Sequence, residues 1–313
     1  MAIVFHTKPN TLPMSWEGFR QATDPFAIAI DGYVDDGPQQ DYGPTGPKQN
    51  FDHHKAVYRP ATRATCAQVL VEVRVGLFER FRDADGPRAD VYRNDCDEDV
   101  CTSSVILKHS HLARPTINPL LNRLVDLVDK LDTFAGGYPF DKDLLALREL
   151  AWIFDPYRRF RFAGGIDRRV ATEFDGVIDD VERRILAYLA GRGEQLPLDL
   201  RYEVTRHGDG WVMVREIGAQ ARTAMLADGI RTFLSVRERP DGARTVTIGK
   251  FSPHTPGDLA AVCTDCNAAE GRTSGDMWGG GTTVIGSPRV SGTRRDDQTL
   301  AEIMDRHFGH HAQ

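Results

Sequence analysis

Residues 50–57 read Asn-Phe-Asp-His-His-Lys-Ala-Val, so one carboxylate and two imidazoles, Asp52, His53 and His54, stand side by side. Neutral imidazole and carboxylate are the donors that borderline divalent cations select. The same triplet can open a helix, with Asp52 as its cap and the rings on a wet first turn. Other acids are needed to choose between the two, and they are present. The apolar run Phe26–Ile30 ends at Asp31, and Asp90–Arg93 is followed by Asp95, Asp97 and Asp99 in the stretch NDCDED. Carboxylates gathered at strand ends repel one another and resist desolvation unless a cation neutralises them. An acidic strand end, an Asp-His-His and an Asp-x-Asp before small hydroxyl residues together point to a carboxylate–histidine site for two metal ions.

Such a site needs strands to carry it. Ala2–Phe5 and Phe26–Ile30 are short apolar stretches between turn formers, as buried parallel strands are, and they end at His6 and Asp31. Residues 33–50, rich in Gly, Pro and acids, read as a surface loop. Thr65–Arg82 places Cys66, Val69, Leu70, Val73, Leu77, Phe78 and Phe81 at helical intervals. Asp90–Arg93 is a short strand, Val100, Val105, Ile106 and Leu107 begin another helix, and two more helices are predicted at 118–130 and 144–153. Strands alternating with helices imply an α/β domain with a mainly parallel sheet, whose ligands gather at the carboxyl ends of its strands. A long amphipathic helix over Asp167–Leu189 ends at GRGEQLP, and beyond it RYEVTR, WVMVRE, IRTFLSVRER and ARTVTIGKF alternate as strands. Pro240–Gly242 is a hairpin turn, followed later by the glycine-rich WGGGTTVIGSPR and a last helix, Asp297–Phe308. The predicted class is α/β: residues 1–165 a mainly parallel-sheet domain, 166–195 a connecting helix and linker, 196–313 a smaller α+β domain.

A chain of 313 residues exceeds the usual single domain, in keeping with two. Its formal net charge of −6 lacks the basic face that a general nucleic-acid coat or an anionic-membrane binder needs. Five scattered cysteines, Cys66, Cys96, Cys101, Cys263 and Cys266, suit a reducing compartment. No apolar run reaches bilayer length and the first residues carry no leader pattern, so a cytoplasmic protein with no membrane partner is expected. Only Cys263 and Cys266 have metal-like spacing; lacking a second pair, they read as neighbours on an amphipathic helix rather than as zinc ligands.

The chemistry-bearing residues resemble the DHH phosphoesterase superfamily, which includes RecJ-type exonucleases, oligoribonuclease, cyclic-dinucleotide phosphodiesterases, family II pyrophosphatases and exopolyphosphatases. FAIAIDG is similar to its second motif, an apolar strand ending in a metal-bridging Asp, here Asp31, and Asp52-His53-His54 follows at a similar interval. CDEDVCTSSVIL at Cys96–Leu107 resembles the first motif, an Asp-x-Asp before a Thr-Ser helix, yet lies after the DHH, so the motif order is permuted. Where the family commonly has a His four residues before that motif's first Asp, this chain has Arg93, with His6 as a candidate substitute. The fourth motif's Asp is matched by Asp132 in LVDLVDKLDTF, with Asp129 as the rival. WGGGTTVIGSPR resembles the glycine-rich signature of the family's substrate-binding lobe, with Thr282 in place of its usual His.

The resemblance implies a manganese-dependent hydrolase with two ions, magnesium being the alternative. Asp31 would bridge the ions, Asp97 and Asp99 would each hold one, and His53 and Asp132 would complete the second. Asp52 would orient a histidine, and His54 would touch the phosphate or the leaving oxygen. Gly279, Gly280 and Gly281 would let the backbone approach a phosphate, with Thr282, Thr283, Arg289 and Arg93 as donors; Arg231 and Arg237 are further candidates. The expected substrate is a small phosphodiester or nucleotide, such as a short single-stranded oligonucleotide or a cyclic dinucleotide, and a homodimer is compatible with it. Pyrophosphate or polyphosphate hydrolysis is the alternative within the enzyme class. A catalytically silent nucleotide-binding regulator, or an interaction protein whose acidic loop Asp35–Asp41 recruits a basic partner, are the alternatives outside it.

Overall fold

The alternation of strand and helix is realised as a mixed α/β fold with two sheets, in a computed structural model that describes residues 2–113 and 118–309. The chain forms two compact units, residues 1–130 with 149–196 and residues 131–148 with 197–313. Among the described residues no helix is long and apolar enough to cross a membrane.

In order along the chain, the first unit contains β1 (Ala2–Thr7), α1 (Trp16–Ala22), β2 (Ala27–Ile30), β3 (Gln39–Asp41), β4 (Lys48–Phe51), a one-turn 3-10 helix (Arg59–Ala61) and α2 (Thr65–Val75). Then come α3 (Leu77–Arg80), β5 (Arg82–Asp83), β6 (Gly86–Arg93), α4 (Glu98–Lys108), α5 (Ser110–Ala113) and α6 (Pro119–Thr133). After α7 (Leu145–Ile153), α8 (Asp155–Phe162) and α9 (Gly165–Arg168), the unit closes with α10 (Ala171–Leu189). Both α6 and α7 are continuous helices, although the division between units falls within each of them.

The first sheet has the order β1-β6-β2-β4-β3, and β1, β6, β2 and β4 are all parallel. Parallel neighbours end on the same side, so the carboxyl ends of β6, β2 and β4 lie next to one another. The register Ile30↔Phe51 therefore sets Asp31 beside Asp52. Because β6 sits between β1 and β2, a motif that comes late in the chain is carried by a central strand; sheet position does not depend on chain order.

The loop expected over residues 33–50 contains two strands. Its β4, Lys-Gln-Asn-Phe, is buried throughout, with polar side chains that find partners inside. The Lys48 ammonium donates to the carbonyls of Arg20 and Thr23 at the end of α1, and Asn50 Nδ2 donates to the carbonyls of Asp36 and Gly37. Buried polar groups are tolerable when so paired, and this is why hydropathy alone passed the strand over. The expected helix over 65–82 breaks at Gly76, which takes the left-handed conformation open to glycine (φ 114°) and closes α2. Helix α10, expected as part of a connector, packs on α8, α4 and β1 within the first unit.

The second unit comprises β7 (Tyr202–His207), β8 (Val212–Glu216), α11 (Ala221–Ala227), β9 (Thr232–Glu238), β10 (Arg244–Lys250), α12 (Leu259–Ala269), β11 (Gly279–Gly280), β12 (Val284–Gly286) and α13 (Asp297–Phe308). Its sheet, β11-β12-β10-β9-β8-β7, is antiparallel except between β8 and β9. One face packs Met213, Leu234, Val246 and Ile248 against Val262, Cys266, Leu300 and Met304 of α12 and α13. Cys263 and Cys266 thus sit on an amphipathic helix, and burial pushes their thiols up to about 11 and about 12. Among the described residues no third ligand joins them in a metal-holding group.

Candidate metal centre

Asp31 follows β2 in a left-handed conformation (φ 52°), succeeded by Gly32 (φ 74°). Asp is one of the few residues that visits this region. The turn directs the Asp31 amide to the Phe51 carbonyl and the Gly32 amide to Asp52 Oδ1 at 3.0 Å, tying the ends of β2 and β4 together. Asp31 is 4 % exposed, and Asp52 and His53 are fully buried.

His53 is at the centre. Its Nε2 lies 3.8 Å from Asp31 Oδ1 and 3.9 Å from Asp99 Oδ2. Asp132 occupies the last turn of α6, three residues beyond Asp129, and belongs to the second unit. Among the described residues Asp31, His53 and His54 bring their ligand atoms within 4.8 Å of one another, and Asp99 approaches the same His53 imidazole. These carboxylate and imidazole groups can hold a metal ion.

Asp99 stands in the first turn of α4, where its two oxygens accept from Thr65 N at 2.7 Å and Cys66 N at 2.6 Å. These are orphan amides of α2, whose own cap position, Ala64, has no side-chain acceptor. Asp129 accepts from the Ala64 amide, so two acids from other helices cap α2 in place of a residue of its own. Thr65 also donates its hydroxyl to Asp31 at 3.2 Å. Helix α2 is thereby bonded to three of the acids predicted from sequence.

Asp52 binds its neighbour twice, accepting from His54 N at 3.0 Å and from His54 Nδ1 at 2.7 Å. Burial pushes its carboxyl up, but the hydrogen bond and charge of His54 outweigh that and hold it below the usual range. The Nδ1 proton is thus fixed toward Asp52, and Nε2 is the remaining ring nitrogen of a partly exposed side chain.

Other residues of the sequence reading have different places. Asp97 caps α4, accepting from Val100 N at 2.9 Å, and is not among the grouped ligands. His6 Nε2 bonds Asp90 at 2.8 Å while its ring stacks on Tyr92. Arg93 is buried over the Phe5 ring and donates to Thr7, Ser104 and Asp175, which spends its donors on holding α4 and α10 to the sheet. Gly279 and Gly280 form an exposed strand paired with β12, and Gly281 N donates to Val284 O. At Gly280 (φ 145°) a side chain would meet the Val284 carbonyl at 2.4 Å. Thr282 and Arg289 are exposed, whereas Thr283 is buried and donates to the Thr133 carbonyl at 3.1 Å. Arg231 donates to the Leu226 and Ile230 carbonyls, and Arg237 to Thr245.

Arg59 was not anticipated. It is 2 % exposed, and its Nη2 lies 3.5 Å from His53 Nε2. The sequence signal was faint: Pro60 fixes the start of a one-turn helix, but nothing separates Arg59 from the exposed Arg63 nearby. An open pocket of about 500 Å³, flanked by Gln39, Gln49, Arg63, Gln68 and Glu72, contains none of the candidate ligands in its lining. The chain matches no known protein-family model and no curated protein.

Proposed function

We propose that this protein is a metal-dependent phosphoesterase of the DHH type, acting on a small phosphodiester or nucleotide, with manganese as its ion. The observation that carries this reading is the convergence of Asp31, His54 and Asp99 on one buried histidine, His53, beside the adjoining ends of parallel strands. When bound there, a divalent cation would supply Lewis acidity and a lowered pKa for water. Asp31, His53 and Asp99 would hold it.

The residues themselves do the rest. Asp52 keeps His54 in one orientation through Nδ1 and stabilises the ring when it is protonated, so His54 can deliver a proton from Nε2 to the departing oxygen. The Asp52 carboxylate stays ionised for this because its folded pKa is lowered. Thr65 and the first amides of α2 keep Asp31 and Asp99 in place. In the second unit, the exposed Gly279, Gly280, Thr282 and Arg289 are the proposed phosphate-binding residues of that unit.

The contact of Arg59 with His53 favours one second reading, a silent nucleotide-binding regulator whose acids are neutralised by a guanidinium. Both are tested by titrating the protein with manganese and following product release from a diribonucleotide, a cyclic dinucleotide, adenosine bisphosphate and short polyphosphate, with Asp99→Asn alongside. Manganese-dependent turnover lost in the variant supports the enzyme. Nucleotide binding without manganese binding or turnover would favour the regulator.

A further inference from the structure

Between Lys55 and Arg63 the chain is a surface turn: Lys55, Ala56, Tyr58, Ala61 and Arg63 are exposed, and Arg59 alone among these residues is buried. The turn closes on itself through Ala61 N to Tyr58 O and Thr62 N to Arg59 O. It therefore inserts a single cation beside a cluster of acids. An arginine cannot accept a hydrogen bond or lose its proton, so at the 3.5 Å contact Arg59 Nη2 is the donor and His53 Nε2 the acceptor, at the long end of the hydrogen-bond range.

That nitrogen has one lone pair. The nitrogen lies 3.8 Å from Asp31 Oδ1 and 3.9 Å from Asp99 Oδ2, and a metal ion bound there would need that lone pair. We propose that Arg59 is a built-in competitor for the metal: its guanidinium serves as counter-ion to the acids around His53, and metal binding expels it together with the 55–63 turn. This inference rests on the metal-binding reading above. Two cations at one imidazole nitrogen repel strongly, while an arginine removed from among buried acids leaves their charge uncompensated, so the site holds one or the other. Because no other buried residue occupies positions 55–63, the turn can swing outward without exposing core.

The experiment is calorimetric titration of manganese chloride into the full chain and into Arg59→Gln and Arg59→Lys, with amide hydrogen exchange on the wild type. Arg59→Gln should bind manganese about tenfold more tightly or better, within the range of typical coupling factors. Arg59→Lys, which keeps the charge, should stay close to the wild type. In the wild type, manganese should accelerate exchange across 55–63. Equal or weaker binding by folded Arg59→Gln, with the wild type binding manganese, overturns the competition and leaves the metal site standing. No manganese binding by either protein overturns both. Should Arg59→Gln fail to fold without metal, the wild-type exchange decides: faster exchange in the turn supports expulsion, and slower or unchanged exchange overturns it.

Discussion

Each unit contains an acidic network, buried in the first and half-buried in the second, and the two differ in what surrounds the acids. In the second unit Glu270, with a side chain only 8 % exposed, accepts from Trp278 Nε1 at 2.8 Å, Thr293 Oγ1 at 2.6 Å and Arg272 Nε at 2.6 Å. Asp276 accepts from the amides of Val290 and Ser291 and from the Ser291 hydroxyl. Each acid has several donors of its own, drawn from a segment that would otherwise be loose, and the result is a staple. In the first unit Asp31 Oδ1 and Asp99 Oδ2 lie 3.8 and 3.9 Å from the His53 imidazole. In the second unit each acid is met by its own donors; in the first, Asp31 and Asp99 have donors on α2 and also converge on one imidazole, an arrangement that a cation favours.

The sharpest way to break this contrast is to remove one acid from each network. Asp99→Asn should weaken manganese binding by about 100-fold or more, exceeding what loss of an outer-shell partner costs, and abolish manganese-dependent hydrolysis. Glu270→Gln should leave the affinity within about twofold. Calorimetry on both variants checks this, and equal losses would erase the distinction.

Stability should respond to the second network. Glu270→Ala leaves the Trp278 and Thr293 donors and the Arg272 cation without their acceptor, at a cost of about 3 kcal/mol, read as a lowered urea midpoint. Acid should act through the same groups. Burial pushes the Glu270 and Asp276 carboxyls up, but their hydrogen bonds outweigh it and hold both below the usual range. A carboxyl with a lowered folded pKa contributes stability above its unfolded value, about pH 4, and loses it as the pH falls through the folded value. Melting temperatures should therefore drop below about pH 4 more steeply in the wild type than in Glu270→Gln with Asp276→Asn; parallel curves would show that these acids are not the staple.

The smallest effect concerns Asp97, which sits between the two classes. Asp97→Ala should cost about 1 kcal/mol by leaving the Val100 amide uncapped, and Asp97→Asn close to nothing, since Asn also caps. Neither should change manganese affinity more than about threefold, well short of the effect of an outer-shell partner. A large loss in Asp97→Asn would return Asp97 to the ligand set.

Much of this was legible in the sequence. Helices α4, α6 and α7 and the final Asp297–Phe308 lie where apolar spacing puts them, α2 begins where expected but stops at Gly76, and β2 ends at Asp31 because an apolar run stopped there. Strand β4 was not legible, because Lys48, Gln49 and Asn50 look like loop until their internal partners are known. The role of Asp99 in capping α2 was equally hidden, since its partners Thr65 and Cys66 are more than thirty residues away in the chain.

The sequence by itself determined which residues could do chemistry: local pattern specifies residue type, strand end and helix start. Only the tertiary structure decided how they divide. The order β1-β6-β2-β4 brought Asp99 to His53, gave Arg93 to Asp175 and His6 to Asp90, and let one surface turn place Arg59 against the imidazole. Those choices depend on contacts between residues distant in sequence, and local pattern carries no record of them.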